Sequence, residues 1–146
     1  MHMDTLEFIS TNLHMATLES FGVQKQFYQL EFSSEVYDSI LFIIDCDFTF
    51  SGLDEKANKL FNYLKELDSD VYKVSYMVAI NRKTIQSCSL TGSNFILKFD
   101  NGIIVSFNLL TPFDYPLSIL LKKDFSESVS SEIIFDTDGS VEINIK

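Results

Sequence analysis

The segment Phe95-Ile-Leu-Lys-Phe-Asp-Asn-Gly-Ile-Ile-Val-Ser-Phe-Asn-Leu109 decides how the chain must fold. Its turn can be read in two ways. With Asn101-Gly102 as a two-residue type I′ loop, Phe99 pairs with Ile104, and Phe95, Leu97 and Phe99 share a face with Ser106 and Asn108. With Asp100-Asn101 as a type I turn and Gly102 as the left-handed bulge residue, Phe99 pairs with Ile103. One face then holds Phe95, Leu97, Phe99, Ile103, Val105, Phe107 and Leu109. A one-residue shift exchanges the two faces of a strand, so register decides what is buried. Only the second register gathers the apolar side chains, and the sequence therefore predicts a bulged antiparallel hairpin.

The same turn chemistry recurs at Thr137-Asp138-Gly139. Asp136 then pairs with Ser140, and Ile133, Phe135, Val141, Ile143 and Ile145 line one face. Two such hairpins predict an antiparallel meander. Between them, Pro112 and Pro116 mark an irregular crossing, followed by a strand at about 117–121.

Upstream, Tyr28, Leu30 and Phe32 alternate with polar residues as a half-buried strand, and a mostly polar connection covers 33–39. A long strand is expected over about 39–50. Its even face is Ile40, Phe42, Ile44, Cys46, Phe48 and Phe50. Its odd face begins with Leu41 and Ile43, which predicts cover on both sides, and then turns polar at Asp45, Asp47 and Thr49. Two helices are expected. The first, over 5–19, starts at the capping-box-like Asp4-Thr-Leu-Glu7, carries Leu6, Ile9, Leu13 and Ala16, and ends by Gly22. The second, over 51–67, carries the stripe Leu53, Ala57, Leu60, Phe61, Leu64 and Leu67, and Asp68-Ser-Asp70 closes it. From Val71 the alternation of Tyr72, Val74, Tyr76, Val78 and Ile80 predicts strand, then a turn at 81–83 and a weaker strand at 84–90. The expected fold is a single α+β domain over 1–146, with two helices of the N-terminal half packed on a mainly antiparallel sheet of meandering hairpins.

At 146 residues with 46% apolar content, the chain is long and apolar enough for a core despite a net charge of −10. No run approaches the ~20 apolar residues of a membrane helix, and no signal peptide is visible. Cys46 and Cys88 form no metal or disulfide pattern, which predicts reduced thiols in a cytoplasmic protein, with Cys46 a small core residue. His14 reads as an ordinary packing or surface residue, and most of the Phe and Tyr side chains read as core. No motif for a cofactor or a metal is present, and none is expected to bind.

The charge is segregated. Residues 26–55 hold seven acids and no base, and 124–146 hold Asp124, Glu127, Glu132, Asp136, Asp138 and Glu142 against Lys146 alone, whereas 56–123 are net basic. Such a surface repels nucleic acid phosphates and anionic lipid and attracts basic proteins. The sequence reading is thus a non-enzymatic acidic protein that neutralises a basic protein partner, as a bacterial immunity protein neutralises a toxin. No nucleic acid or membrane partner is expected. The candidate partner-binding residues are Glu35, Asp38, Asp45, Asp47, Asp54 and Glu55. A small-ligand-binding or structural β-rich domain is the alternative.

One pattern suggests enzyme chemistry. An apolar strand precedes Asp-x-Asp at Ile43-Ile44-Asp45-Cys46-Asp47 and again at Ile134-Phe135-Asp136-Thr137-Asp138. Both resemble the first motif of haloacid-dehalogenase-type phosphotransferases. That resemblance implies Asp45 as nucleophile, Asp47 as acid/base and a nearby Mg²⁺. It covers about ten residues, and the family also needs a parallel sheet, a later lysine and a further acidic pair. Asp136-Thr-Asp138-Gly139 reads as a hairpin turn and not a calcium loop, because Ile134 and Ile145 stand where an EF-hand needs acids.

Overall fold

The computed structural model describes residues 4–52, 54–112, 114–126 and 128–146. These form α1 (Thr5–Leu13), β1 (Thr17–Val23), β2 (Tyr28–Ser33), β3 (Ser39–Ile44), β4 (Phe48–Ser51), α2 (Glu55–Leu67), α3 (Ser69–Ile80), β5 (Ile85–Thr91), β6 (Asn94–Phe99), β7 (Ile104–Asn108), β8 (Leu117–Lys122), β9 (Ser131–Phe135) and β10 (Val141–Ile145). The α+β class holds, and every strand pairing is antiparallel. The strands divide into two sheets, one ordered β1-β2-β3-β8-β9-β10 and one ordered β4-β7-β6-β5.

The register chosen at Gly102 is the observed one. Phe99 N–H donates to the Ile103 carbonyl at 2.9 Å, Gly102 takes φ +87°, and all seven residues of the apolar face are buried. The second hairpin repeats this, with Asp136 N–H donating to Ser140 at 2.9 Å and Gly139 at φ +87°.

The buried faces of the two sheets meet across a phenylalanine layer. Phe42 of β3 lies 6.2 Å from Phe107 of β7. Phe95 and Phe99 of β6 contact Phe135 of β9 at 4.9 Å and Phe32 of β2 at 6.2 Å. β2 and β9 are three strand spacings apart, about 14 Å, which matches the rise of four strand residues. β6 therefore runs across the larger sheet, in orthogonal packing. α3 closes the β4 edge: Phe50 stacks on Tyr76 at 4.5 Å, and its N–H donates to the Tyr72 hydroxyl at 3.2 Å. α1 packs on β5, where Met15 N–H donates to Ile85 and Ile85 N–H donates to Ala16.

Four expectations are corrected. First, the initial helix stops at Leu13 rather than running to 19. Met15 takes a left-handed φ of +65°, and Thr17–Val23, Gly22 included, pairs with β2 as strand β1. Ile9, Leu13 and Ala16 are all buried as their spacing implied, but Ala16 is buried at the entry to a strand. Asp4 makes no side-chain cap bond. Second, 39–50 is two strands in different sheets. Because both sheets face one core, Phe48 and Phe50 stay inward after the chain crosses over at Asp45-Cys46-Asp47, and the alternation hides the break. Leu41 and Ile43 lie on the outer face of the larger sheet and are half-buried by their neighbours.

Third, 69–80 is helix α3, not strand. Tyr72, Lys73, Tyr76, Met77 and Ile80 are buried at helical spacing, and Asp68 caps the helix by accepting from Asp70 N–H at 2.8 Å and Val71 N–H at 3.2 Å. Alternate apolar residues over this length fit either period, and the cap decides. Fourth, the stripe of α2 is only partly used. Ala57, Phe61 and Leu64 are half-buried, whereas Leu60 and Leu67 are 57% and 62% exposed. Leu53 lies outside the described residues.

Two glycines test the geometry. Gly52 has φ +96°, and a Cβ there would lie 2.2 Å from the Gly102 carbonyl oxygen, whereas one at Gly139 would meet nothing within 4 Å. Gly139→Ala is expected to cost about 1 kcal/mol, the price of a left-handed side chain, and Gly52→Ala at least about 2 kcal/mol, because backbone must also shift. Urea unfolding of the two variants compares them directly.

Candidate partner interface

The six acids singled out in the sequence fall in three places. Glu35 and Asp38 lie in the loop between β2 and β3, and Asp45 and Asp47 lie beyond the other end of β3. That strand holds the two groups roughly 20 Å apart. Asp54 and Glu55 begin α2.

Several of them have structural work. Asp54 accepts from Ala57 N–H at 2.8 Å as the N-cap of α2, and Glu55 pairs with Lys59 at 3.6 Å on the exposed helix surface. Asp47 pairs with the Lys73 ammonium at 3.1 Å. Lys73 is nearly buried, and its ammonium also stands 5.1 Å from the Tyr28 ring and 4.8 Å from the Phe48 ring. Two aromatic faces and one carboxylate make burial of this charge tolerable. Tyr28 donates its hydroxyl to Asp70. Lys73 thus compensates Asp47, whereas among the described residues no ion pair engages Asp45.

The other group is different. A cleft of about 440 Å³ opens beside the β2–β3 loop, lined by Glu19, Glu31, Ser33, Ser34, Asp38 and Phe125. The Ser33 hydroxyl donates to Glu19 at 2.9 Å and the Ser39 hydroxyl donates to Glu31 at 3.0 Å. These bonds fix two carboxylates and leave their remaining lone pairs outward. Asp38 accepts from Phe125 N–H at 3.4 Å, and Glu35 is exposed in the same loop. Lys122 turns its ammonium to the Phe125 carbonyl at 3.3 Å. Among the described residues, no ion pair engages Glu19, Glu31, Glu35 or Asp38. The Phe125 ring, 63% exposed, stands at the rim. Next to it, Asp124 is held below the usual carboxylate range by hydrogen bonds from the Ser126 backbone and hydroxyl. Glu127 lies outside the described residues.

Of the candidate residues named from the sequence, Asp38 lines this cleft and Glu35 lies in the adjoining loop; Glu19, Glu31 and Phe125 were not among them. Glu19 had been assigned to a helix, and once β1 is a strand it comes beside Ser33 of β2. A second concavity, about 450 Å³, lies between α1 and β5. There Ser10 pairs with Cys88 at 3.2 Å and the His14 ring with the Gln86 carbonyl at 3.1 Å.

The phosphotransferase pattern does not extend to the fold. Asp45 and Asp47 sit on a crossover between antiparallel sheets, and Lys73 holds Asp47. Among the described residues, no cluster of three or more His, Cys, Asp or Glu is placed to hold a metal. No described helix is long and apolar enough to cross a membrane. No protein-family model matches the chain, and neither the curated proteins nor the solved structures give a significant match.

Burial first, and then the Asp47 and Asp45 carboxylates, push the Cys46 thiol up to about 12, with the Lys73 ammonium partly opposing them. Only the thiolate is nucleophilic, so at pH 8 native Cys46 is expected to react with iodoacetamide at least roughly tenfold more slowly than in urea. Lys73→Met removes the opposing charge and should slow it further. Mass spectrometry of the labelled peptide reads both effects.

Proposed function

We propose that this chain is a non-enzymatic binding protein whose acidic cleft captures a basic protein partner, in the manner of bacterial immunity proteins that neutralise toxins. One observation carries the reading: Glu19, Glu31 and Asp38 line one cleft at one end of the larger sheet, with Glu35 exposed in the adjoining loop, and among the described residues none of them is ion-paired within the chain. Carboxylates left together repel one another, and an arriving cation relieves that repulsion. Two are held in place by serine hydroxyls, so little ordering is lost when a guanidinium docks between them. The exposed Phe125 ring offers a face for the same guanidinium to stack on. The net charge of −10 would steer the encounter. Such a site works by complementarity and needs no catalytic group.

The test is charge reversal at the cleft. Glu31→Lys and Asp38→Lys are expected to weaken capture of a basic partner at least roughly tenfold each and to flatten its dependence on salt. Asp54→Ala, which removes the α2 cap, is expected to cost about 1 kcal/mol of stability and to leave affinity unchanged. The natural probe is the product of a neighbouring open reading frame where that product is basic, titrated by calorimetry at several salt concentrations. Unchanged affinity and salt slope in the cleft variants overturns the proposal.

A further inference from the structure

The two sheets have four edges, and three of them are protected. β1 is met at its start by the segment after α3: Leu18 N–H donates to Lys83, Arg82 N–H donates to Leu18, and Thr17 bridges Thr84. Its register is also broken by a bulge between Leu18 and Ser20. β5 is met by Met15 and Ala16 and carries a register break between Ile85 and Ser87. β4 has only four residues and gives the Phe50 N–H to Tyr72. Bulges, short length and covering groups are how edge strands are kept from pairing with other chains.

Among the described residues, β10 has neither a bulge nor a covering group. Val141-Glu-Ile-Asn-Ile145 pairs with β9 in unbroken register, contains no proline, and ends the sheet order. Its free hydrogen-bonding groups can be identified. Asp136 N–H donates to the Ser140 carbonyl at 2.9 Å and Lys146 N–H donates to the Ser130 carbonyl at 2.8 Å. Residues 140 and 146 thus face β9. In an antiparallel ladder this direction alternates, so Glu142 and Asn144 also bond to β9. Val141, Ile143 and Ile145 then point their N–H and C=O groups away from the sheet. On the core side, Val141 and Ile143 are half-buried and Ile145 is 72% exposed.

We infer that β10 pairs antiparallel with β10 of a second copy of this chain, about a two-fold axis through Ile143, joining the two six-stranded sheets into one. This surface is separate from the acidic cleft and does not rest on the function proposed for it. The strand is self-complementary about Ile143. Ile143 faces Ile143, and Val141 faces Ile145 twice, so all three outward-bonding residues of each copy are used. These β-branched side chains fall on one face as cross-strand pairs, covering the exposed Ile145. On the opposite face Glu142 stands against Asn144 of the second copy, with Lys146 on one diagonal and the second copy's Glu142 on the other, so no two like charges stand directly opposite. An axis through Glu142 would instead set two carboxylates against each other.

Net charge fixes the sign of the salt dependence. Two chains of −10 each repel at long range, and salt screens that repulsion. Self-association should therefore tighten as salt rises, whereas capture of a basic partner by the cleft should weaken. The two proposals can thus fail independently.

The experiment is sedimentation of the whole chain over a concentration series at low and high salt, with amide exchange followed by NMR. The expected result is a reversible species of twice 16.7 kDa, favoured by salt. In it, the Val141, Ile143 and Ile145 amides gain protection with concentration, while Glu142 and Asn144 are protected throughout. Ile145→Lys and Ile145→Pro alter an exposed position whose N–H β9 does not use, and each should weaken the dimer at least about tenfold, or 1.4 kcal/mol, with circular dichroism unchanged. A chain that stays at 16.7 kDa under all conditions overturns the inference. So does a dimer insensitive to both variants, which would point to another surface such as the exposed Leu60 and Leu67 flank of α2. Protection of the three amides only on adding a basic protein would show that the edge takes a foreign strand and not a second copy.

Discussion

The phenylalanine layer between two crossed sheets is the constraint on which the rest of the structure depends. Phe32, Phe42, Phe95, Phe99, Phe107 and Phe135 are fully buried and come from strands of both sheets. Aromatic side chains remove large apolar areas from water and keep defined contact geometries, so the layer fixes how the sheets cross as well as holding them together. Its demand that strands present a phenyl inward sets the register of the hairpin at Gly102. It also explains why the chain can leave one sheet at Asp45 and enter the other at Phe48 without losing its alternation. α3 extends the same layer through Phe50, Tyr72 and Tyr76, and α2 reaches it through Phe61 on Tyr76, Asn58 under the Tyr76 hydroxyl and the Lys65 ammonium over Tyr72.

How much of this was legible in the sequence differs by element, for physical reasons. The hairpins at Gly102 and Gly139 were legible in full, because turn chemistry and strand alternation bear on the same register. The break between β3 and β4 was not, because a pattern of period two records only which side is buried, not which sheet buries it. α3 was misread because residues at 72, 76 and 80 satisfy strand and helix alike, and the capping role of Asp68 was taken as an ending when it serves as both an end and a start. Ala16 kept a helical spacing past the true end of α1, which hid β1. The acidity was visible as a total and as a segregation, but not as a site. The cleft needs Glu19 from β1, Glu31 from β2 and Phe125 from the segment after β8, and only the pairing of those strands brings them together.

The acids also separate into kinds that sequence alone does not distinguish. Asp54 and Asp68 spend their lone pairs on helix termini, and Asp47 balances a nearly buried lysine. Those groups belong to the architecture. Among the described residues, Glu19 and Glu31 accept from serine hydroxyls and make no ion pair, which leaves their charge uncancelled. The useful measure of an acidic protein is therefore the charge left over after caps and internal pairs are satisfied.

The seam between β3 and β8 has a kinetic consequence. It joins residues 39–44 to 117–122, about half the chain apart, and both helices of the midsection and the whole smaller sheet lie between them in sequence. Pairings of such long separation close late, since loop entropy is lost before the contact forms. As the chain is synthesised, β1–β3 would wait with the outer edge of β3 unpaired until β8 arrives, after the smaller sheet that covers the Ile40, Phe42 and Ile44 face has been made. Folding of this domain is thus governed by its last strands, and chaperone dependence should track the time that β3 spends without its neighbour.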